Sequence, residues 1–164
     1  MRNTGEFIHE APRRIPVAEK VDVCVIGGSC TGVFAAVRAA EAGMRVAIVE
    51  NNGFFGGTAS AGLVPVWHSR FDAEGRREII RGLTHQVLEH LVAHGEAIVK
   101  EPSNASVYAY LNTASLTVAL DELVAWHPAI RPFLHARFVG VAESAPRHPT
   151  HAVIEDKSGR RAIE

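Results

Sequence analysis

Cysteine is nearly absent. The 164-residue chain has two, Cys24 and Cys30, and neither lies in a CxxC or zinc-like neighbourhood. That excludes a disulfide scaffold or a zinc ribbon and fits a reducing, cytoplasmic setting. No apolar run is long enough to span a bilayer as a helix. The first twenty residues, MRNTGEFIHEAPRRIPVAEK, have no apolar core of signal-peptide length and mix acids with bases. They read as a polar leader over residues 1–20 ahead of a domain over 21–164, with no membrane partner. Charge of one sign is also lacking. The formal net charge is −1, so no basic field draws the chain to nucleic acid. There is no Walker loop, no Gly-x-Ser-x-Gly elbow and no internal repeat. The pattern Asn104-Ala105-Ser106 matches a glycosylation acceptor, but without a secretory signal it carries no meaning.

What is present begins with a strand, a glycine turn, a helix and a second strand. Val21 to Ile26 is short, β-rich and apolar apart from Asp22, as for a strand covered on both faces of a parallel sheet. From Cys30 to Ala42 the chain is alanine-rich, with Val33, Ala36, Val37 and Ala40 at helical spacing, and Gly43 stops it. Arg45 to Val49 follows as a parallel strand ending at Glu50, which makes a βαβ unit. Residues 51–68 form a loop rich in glycine and small residues, of the kind that carries function. Arg77 to His94 reads as a helix with Ile79, Ile80, Leu83, Val87, Leu88, Leu91 and Val92 on one stripe. Short strands are expected around 97–99 and 107–110. Thr113 is placed to cap a helix running to Trp126, closed by Pro128. Pro132 to Arg137 reads as a third parallel strand. Phe138 to Glu143, His151 to Glu155 and Arg161 to Ile163 read as an antiparallel meander. The fold class is therefore α/β: a Rossmann-like parallel sheet with a C-terminal antiparallel β-meander.

The turn IGGSCTG, residues 26–32, has the plan of a dinucleotide cradle. Gly27 permits the tight strand-to-helix turn, and Gly32 lets the helix pack close to the strand. Free N–H groups at the helix N-terminus face the phosphates, where the helix dipole favours negative charge. Glu50 at the second strand's end can accept from ribose hydroxyls, and it would repel a 2′-phosphate. Ser29 stands where a glycine usually fills the middle of such a turn. Its Cβ narrows the gap, but its hydroxyl can donate to a phosphate oxygen, and Gly28 beside it keeps the turn flexible. On these residues alone an NAD-binding domain stays open, as does a fragment that keeps the fold without a cofactor. Cys30 reads either as a small side chain in a crowded turn or as a redox partner.

The second glycine loop narrows the choice. The stretches RRIPVAEKVDVCVIGGSCTG, VENNGFFGGTASAGLVPVWH and REIIRGLTHQVLEHL, with the later LTVALDELV, RFVGV and KSGRRAIE, resemble the FAD-dependent oxidoreductases of the glutathione reductase-like fold. The resemblance spans nearly the whole chain. It implies FAD in an extended form, with Gly27, Gly28, Ser29, Thr31 and Gly32 around the pyrophosphate. It implies Glu50 on the adenosine ribose with Asn51 beside it, and Gly56, Gly57 and Thr58 along the pyrophosphate and ribityl chain. Val139 matches the position whose backbone contacts adenine. The activity implied is oxidation or reduction of a small-molecule substrate by hydride transfer at the flavin. Ser29 and Asn51 depart from the commonest family pattern.

The family's third motif, a strand ending ATGD or similar that returns beside the first strand, would start just after residue 164. The expectation is an N-terminal part of a larger, truncated or split enzyme, lacking that return strand and the substrate domain. The edge of Val21 to Ile26 would then be open to a second copy or a partner chain. No catalytic base is assigned. His68, after the second loop, is a candidate for proton transfer or substrate orientation. Tyr108 and Tyr110 read as packing residues. His90 and His94 share a helix face, but no third ligand follows in a recognised pattern, so no metal site is expected.

Overall fold

The computed structural model describes residue 5 and residues 7–100 and 108–164. Three parallel strands form the central sheet: β2 (Val23–Ile26), β3 (Val46–Val49) and β7 (Ile130–Phe133), in the order β2-β3-β7. The register runs without a break from Val23↔Val46 to Ile26↔Val49, and from Val46↔Ile130 to Val49↔Phe133. β3 is buried at all four positions. An unbroken apolar run, VAIV, suits a strand covered on both faces.

One face carries helices α1 (Cys30–Glu41) and α3 (Thr113–Ala125), with α2 (Leu83–Ala93) packed behind them. Val33, Val37, Val46, Ile48, Leu116 and Leu120 meet there, all fully buried. Each such side chain contributes about 1.5–3 kcal/mol by leaving water. The opposite face is covered by a four-stranded sheet in the order β1-β10-β9-β8: β1 (Val17–Glu19), β10 (Gly159–Ile163), β9 (His148–Asp156) and β8 (Arg137–Ala145). Ala47, Val49, Phe133, Ala136, Ile154 and Ile163 form this second core. A third small sheet joins β4 (Val66–Trp67), β6 (Tyr108–Leu111) and β5 (Ala97–Lys100). The Rossmann-like α/β fold with an antiparallel meander is the architecture found. The meander's strands are longer than read from sequence, because Pro146-Arg147 and Lys157-Ser158 make two-residue hairpin loops.

Several boundaries differ from the sequence reading, each for a physical reason. The last residues of the polar leader form β1, which pairs in parallel with β10. The helix expected from Arg77 starts at Leu83, because Gly82 adopts φ 72° and the chain before it is held elsewhere. Glu78 bridges to Phe71, and its carboxylate meets Arg70 Nη1 at 3.1 Å and His85 Nδ1 at 3.2 Å. Ile79 and Ile80 fit the helical stripe but are exposed. The cap of α3 is Asn112, one residue before Thr113; its Oδ1 accepts from Ala114 N and Ser115 N. The third parallel strand begins at Ile130 and passes through Pro132. β7 is an edge strand, where proline is tolerated. Val107 and the Asn104-Ala105-Ser106 pattern lie outside the described residues.

Asp22 clamps the start of the βαβ unit. Its Oδ1 accepts from Arg45 Nη2 at 2.9 Å, and its Oδ2 accepts from Arg45 N at 2.9 Å and Nε at 3.1 Å. These bonds hold the Asp22 carboxyl down to about 2. A carboxylate whose pKa is depressed by folding adds stability above its unfolded pKa, about 3.9, and loses it as pH falls through the folded value. Asp22→Asn is therefore expected to be less stable than the parent at pH 7, with the gap closing between about pH 4 and pH 2. Urea midpoints across that range check this; a gap independent of pH would contradict it.

Candidate functional site

The turn between β2 and α1 is built by three glycines with different duties. Gly27 takes φ 100°, and its N–H donates to Val49 O at 2.8 Å, binding the turn to the end of β3. Gly28 is buried; a Cβ there would meet the Phe55 ring at 2.4 Å and Glu50 Cβ at 2.9 Å. Gly32 is buried in the first turn of α1, and a Cβ there would fall 1.9 Å from Gly27 O.

Ser29 is the N-cap of α1, with φ −63° and ψ 171°. That is ordinary extended backbone, so a side chain costs nothing there. Its Oγ accepts from Gly32 N at 3.3 Å, satisfying one of the free N–H groups of the helix end. The hydroxyl proton remains free to donate outward. Room for Ser29 comes from the second loop: Gly57, at φ 56°, lies so close that a Cβ on it would sit 3.0 Å from Ser29 Cβ. The two glycine loops touch directly. Gly56 N donates to Gly28 O at 2.8 Å, and Ser29 and Gly56 form a parallel bridge.

Glu50 directly follows β3 and is only 7% exposed, yet it has three donors. Gly28 N donates to its Oε2 at 2.8 Å; Asn52 N and Nδ2 donate to its Oε1 at 2.7 and 2.8 Å. A carboxylate oxygen accepts about two hydrogen bonds. Oε1 is therefore filled, while Oε2 keeps capacity for one more donor.

Two clefts flank the turn. One, about 370 Å³, is lined by Ile26, Gly27, Glu50, Asn51, Arg137 and Phe138 among others. The other, about 280 Å³, is lined by Ser29, Cys30, Thr31, Gly56, Thr58 and Trp67 with small apolar neighbours. Gly27 opens on the cleft that holds Glu50, and, two residues on, Ser29, the exposed N-cap of α1, opens on the uncharged one. That suits a long ligand with a sugar at one end, an anion in the middle and an apolar ring at the other. Glycines at the loop contact, an acceptor with spare capacity in one cleft and a helix N-terminus in the lining of the other fit a dinucleotide.

Of the residues read from sequence, Gly27, Ser29, Thr31, Glu50, Asn51, Gly56 and Thr58 line these clefts. Gly28, Gly32 and Gly57 shape the turn from behind. Val139 lies on β8 in the neighbouring cleft with His135, Arg137 and Phe138. His68 is exposed and absent from both clefts; its ring meets Tyr108 edge-on at 5.7 Å. Trp67, not His68, lines the uncharged cleft. Cys30 Sγ donates weakly to Gly56 O at 3.7 Å, and burial pushes its thiol up, which favours the unreactive form. His94 Nδ1 pairs with His90 O at 2.8 Å, so that ring nitrogen is spent locally. Among the described residues, no group of three or more His, Cys, Asp or Glu is placed to hold a metal, and no helix is long and apolar enough to cross a membrane.

Sequence reasoning missed three residues. Asn52 holds Glu50, Arg137 lines the carboxylate cleft, and Asp121 reaches the second glycine loop from α3. Only Asn52 had a local signal, as a polar residue two places after the strand-end acid.

The same fold recurs in solved structures. The chain is 18% identical to a flavocytochrome c3 fumarate reductase, with TM-score 0.61, covering 90% of this chain and 32% of that one. It is 19% identical to THI4 from Thermovibrio ammonificans, with TM-score 0.57, covering 88% and 54%. For glycine oxidase from Geobacillus kaustophilus the identity is 14% and the TM-score 0.52, covering 90% and 54%. At these identities the likeness is one of fold. A curated relative, a Baeyer-Villiger monooxygenase from Streptomyces coelicolor, is 48% identical over 50 residues, which are 30% of this chain and 8% of that protein. The chain thus spans between about a third and about half of these solved structures. Residues 22–164 match the family model described as FAD dependent oxidoreductase, and the chain belongs to that family, whose cofactor is FAD.

Proposed function

We propose that this chain binds FAD in an extended form across the IGGSCTG turn, as the cofactor-holding part of an enzyme that oxidises or reduces a small molecule. The observation that carries this reading is the pair of clefts lined by the one glycine turn, Gly27 in the cleft with Glu50 and Ser29, the N-cap of α1, in the uncharged one. The adenosine ribose would take the spare capacity of Glu50 Oε2, with Asn51 beside it. The pyrophosphate would face Ser29, Thr31 and the helix N-terminus, with Gly27, Gly28 and Gly32 shaping the turn. Gly56, Gly57 and Thr58 would run beside the ribityl chain. Val139 would lie at the adenine end. The bound flavin supplies hydride transfer, while the protein binds, orients and excludes water. No side chain of the described residues is assigned as a catalytic base; His68 lies outside the cleft lining. The family match favours FAD over an NAD-binding domain or a cofactor-free fragment.

β2 pairs only with β3 among the described residues, and Ile26 at its end is 46% exposed. An open apolar edge recruits a further strand. In the proposed reading that strand comes from a longer polypeptide or a partner chain. Free Cys24 and Cys30 fit work in the cytoplasm.

The test is an absorption spectrum of the purified chain before and after incubation with FAD, FMN or NAD and desalting. Retention of flavin bands with FAD, and not with FMN or NAD, is expected. Retention of NAD without FAD would overturn the reading.

A further inference from the structure

Asp121 sits in the interior of α3, a place where aspartate is a poor helix former. Its neighbours Leu120 and Val124 face the core, while Asp121 is half-buried. Its Oδ1 accepts from Phe55 N at 3.0 Å, across 66 residues of sequence. Burial pushes the Asp121 carboxyl up, and the Phe55 bond works against that shift.

Phe55 is itself 2% exposed, and its ring occupies the space that a side chain at Gly28 would need. Gly28 then gives its N–H to Glu50 Oε2 and takes the N–H of Gly56 on its carbonyl, both at 2.8 Å. The adjoining Leu120 closes on Gly56, where a Cβ would come within 3.2 Å of its Cδ1. A continuous line of contacts therefore leads from α3 through Phe55 to Gly28, and from Gly28 to the acid of one cleft and the glycine loop of the other.

We propose that Asp121 is a positioning residue for the cofactor cradle: by holding the Phe55 amide it seats the second glycine loop, ring first, against the first glycine turn. This rests on the reading that the two clefts hold FAD. Asp121 touches no ligand in this account. It acts through Phe55 and Gly28, and what it requires is an acceptor oxygen at that point, not a charge.

The test uses the whole chain with Asp121→Asn, which keeps an acceptor oxygen, and Asp121→Ser, whose hydroxyl is too short to reach Phe55 N. Two quantities are read: the FAD dissociation constant by titration, and hydrogen exchange at the Phe55 amide without cofactor. Asp121→Asn is expected to stay within about threefold of the parent in affinity and to keep Phe55 protected. Asp121→Ser is expected to lose tenfold or more in affinity and to lose protection at Phe55, while amides of β3 stay protected and so report an intact core. If Asp121→Ser binds FAD as the parent does, the proposal is overturned. It is equally overturned if Asp121→Asn is as weak as Asp121→Ser, since charge would then be the requirement. If the parent itself takes up no FAD, the cofactor reading fails. The exchange at Phe55 then decides the latch alone: protection in the parent and Asn forms but not the Ser form supports it, and equal protection in all three overturns it.

Discussion

Gly32→Ala is expected to cost the protein about 3 kcal/mol of stability, the upper part of the usual range for overpacking a closed site. The new methyl would lie 1.9 Å from Gly27 O and 3.0 Å from Gly27 C. Both are backbone atoms, so no side chain can swing aside. Gly27 cannot yield either, because its N–H is bonded to Val49 O and its φ of 100° is already in the region only glycine occupies freely. α1 would have to lift from β2, which uncovers Val33 and Val37, both fully buried. The helix N-terminus would leave its place in the lining of the uncharged cleft, so FAD uptake should be lost with the stability. Urea denaturation at a common protein concentration measures the first effect and desalting with FAD the second. A variant within about 0.5 kcal/mol of the parent, the usual scatter of neutral surface changes, would show that the turn is not packed as described.

Glu50→Gln is expected to lower stability by about 2 kcal/mol and to weaken FAD by tenfold or more, although the two side chains have nearly the same shape. Both oxygens of Glu50 receive donors: Gly28 N on one, Asn52 N and Nδ2 on the other. A glutamine must turn its NH2 toward one of these sets, setting donor against donor in a site that is 7% exposed. A buried donor left without a partner costs about 1–3 kcal/mol, more than the bond itself contributes. If the amide faces Gly28, the position proposed for the ribose hydroxyl changes from acceptor to donor as well. Denaturation midpoints and FAD titration on the same preparation check both halves. An unchanged affinity would remove Glu50 from the proposed ribose site, whatever happened to stability.

The frame β2, turn, α1, β3 was legible in the sequence because every cue in it is local. The strands are short apolar runs, α1 has helical spacing, Gly43 sits just past its end at φ 85°, and the turn glycines lie where the backbone needs them. Ser29 reads in the sequence as a departure whose Cβ narrows the gap and whose hydroxyl can donate to a phosphate. Its N-cap bond to Gly32 N is local, but its fit against Gly57 depends on a loop that arrives from residue 56 onward, which sequence spacing could not show. The start of α2 was misplaced for a similar reason. Ile79 and Ile80 obey helical periodicity, but Glu78 is committed to Arg70 and His85 before the helix begins. Asp121 lies beyond any local rule, as its partner is Phe55. Periodicity and turn chemistry therefore recover the scaffold of the cradle, and the long-range hydrogen bonds that set its shape come only from the folded chain.

The most direct measurement of the central claim is backbone hydrogen exchange on the intact chain with and without FAD. Slower exchange is predicted at Ser29 to Gly32, at Asn51 and at Gly56 to Thr58, with α2 unchanged. FAD that leaves the exchange of both glycine loops unaltered, or that protects only residues between α2 and α3, would contradict the account.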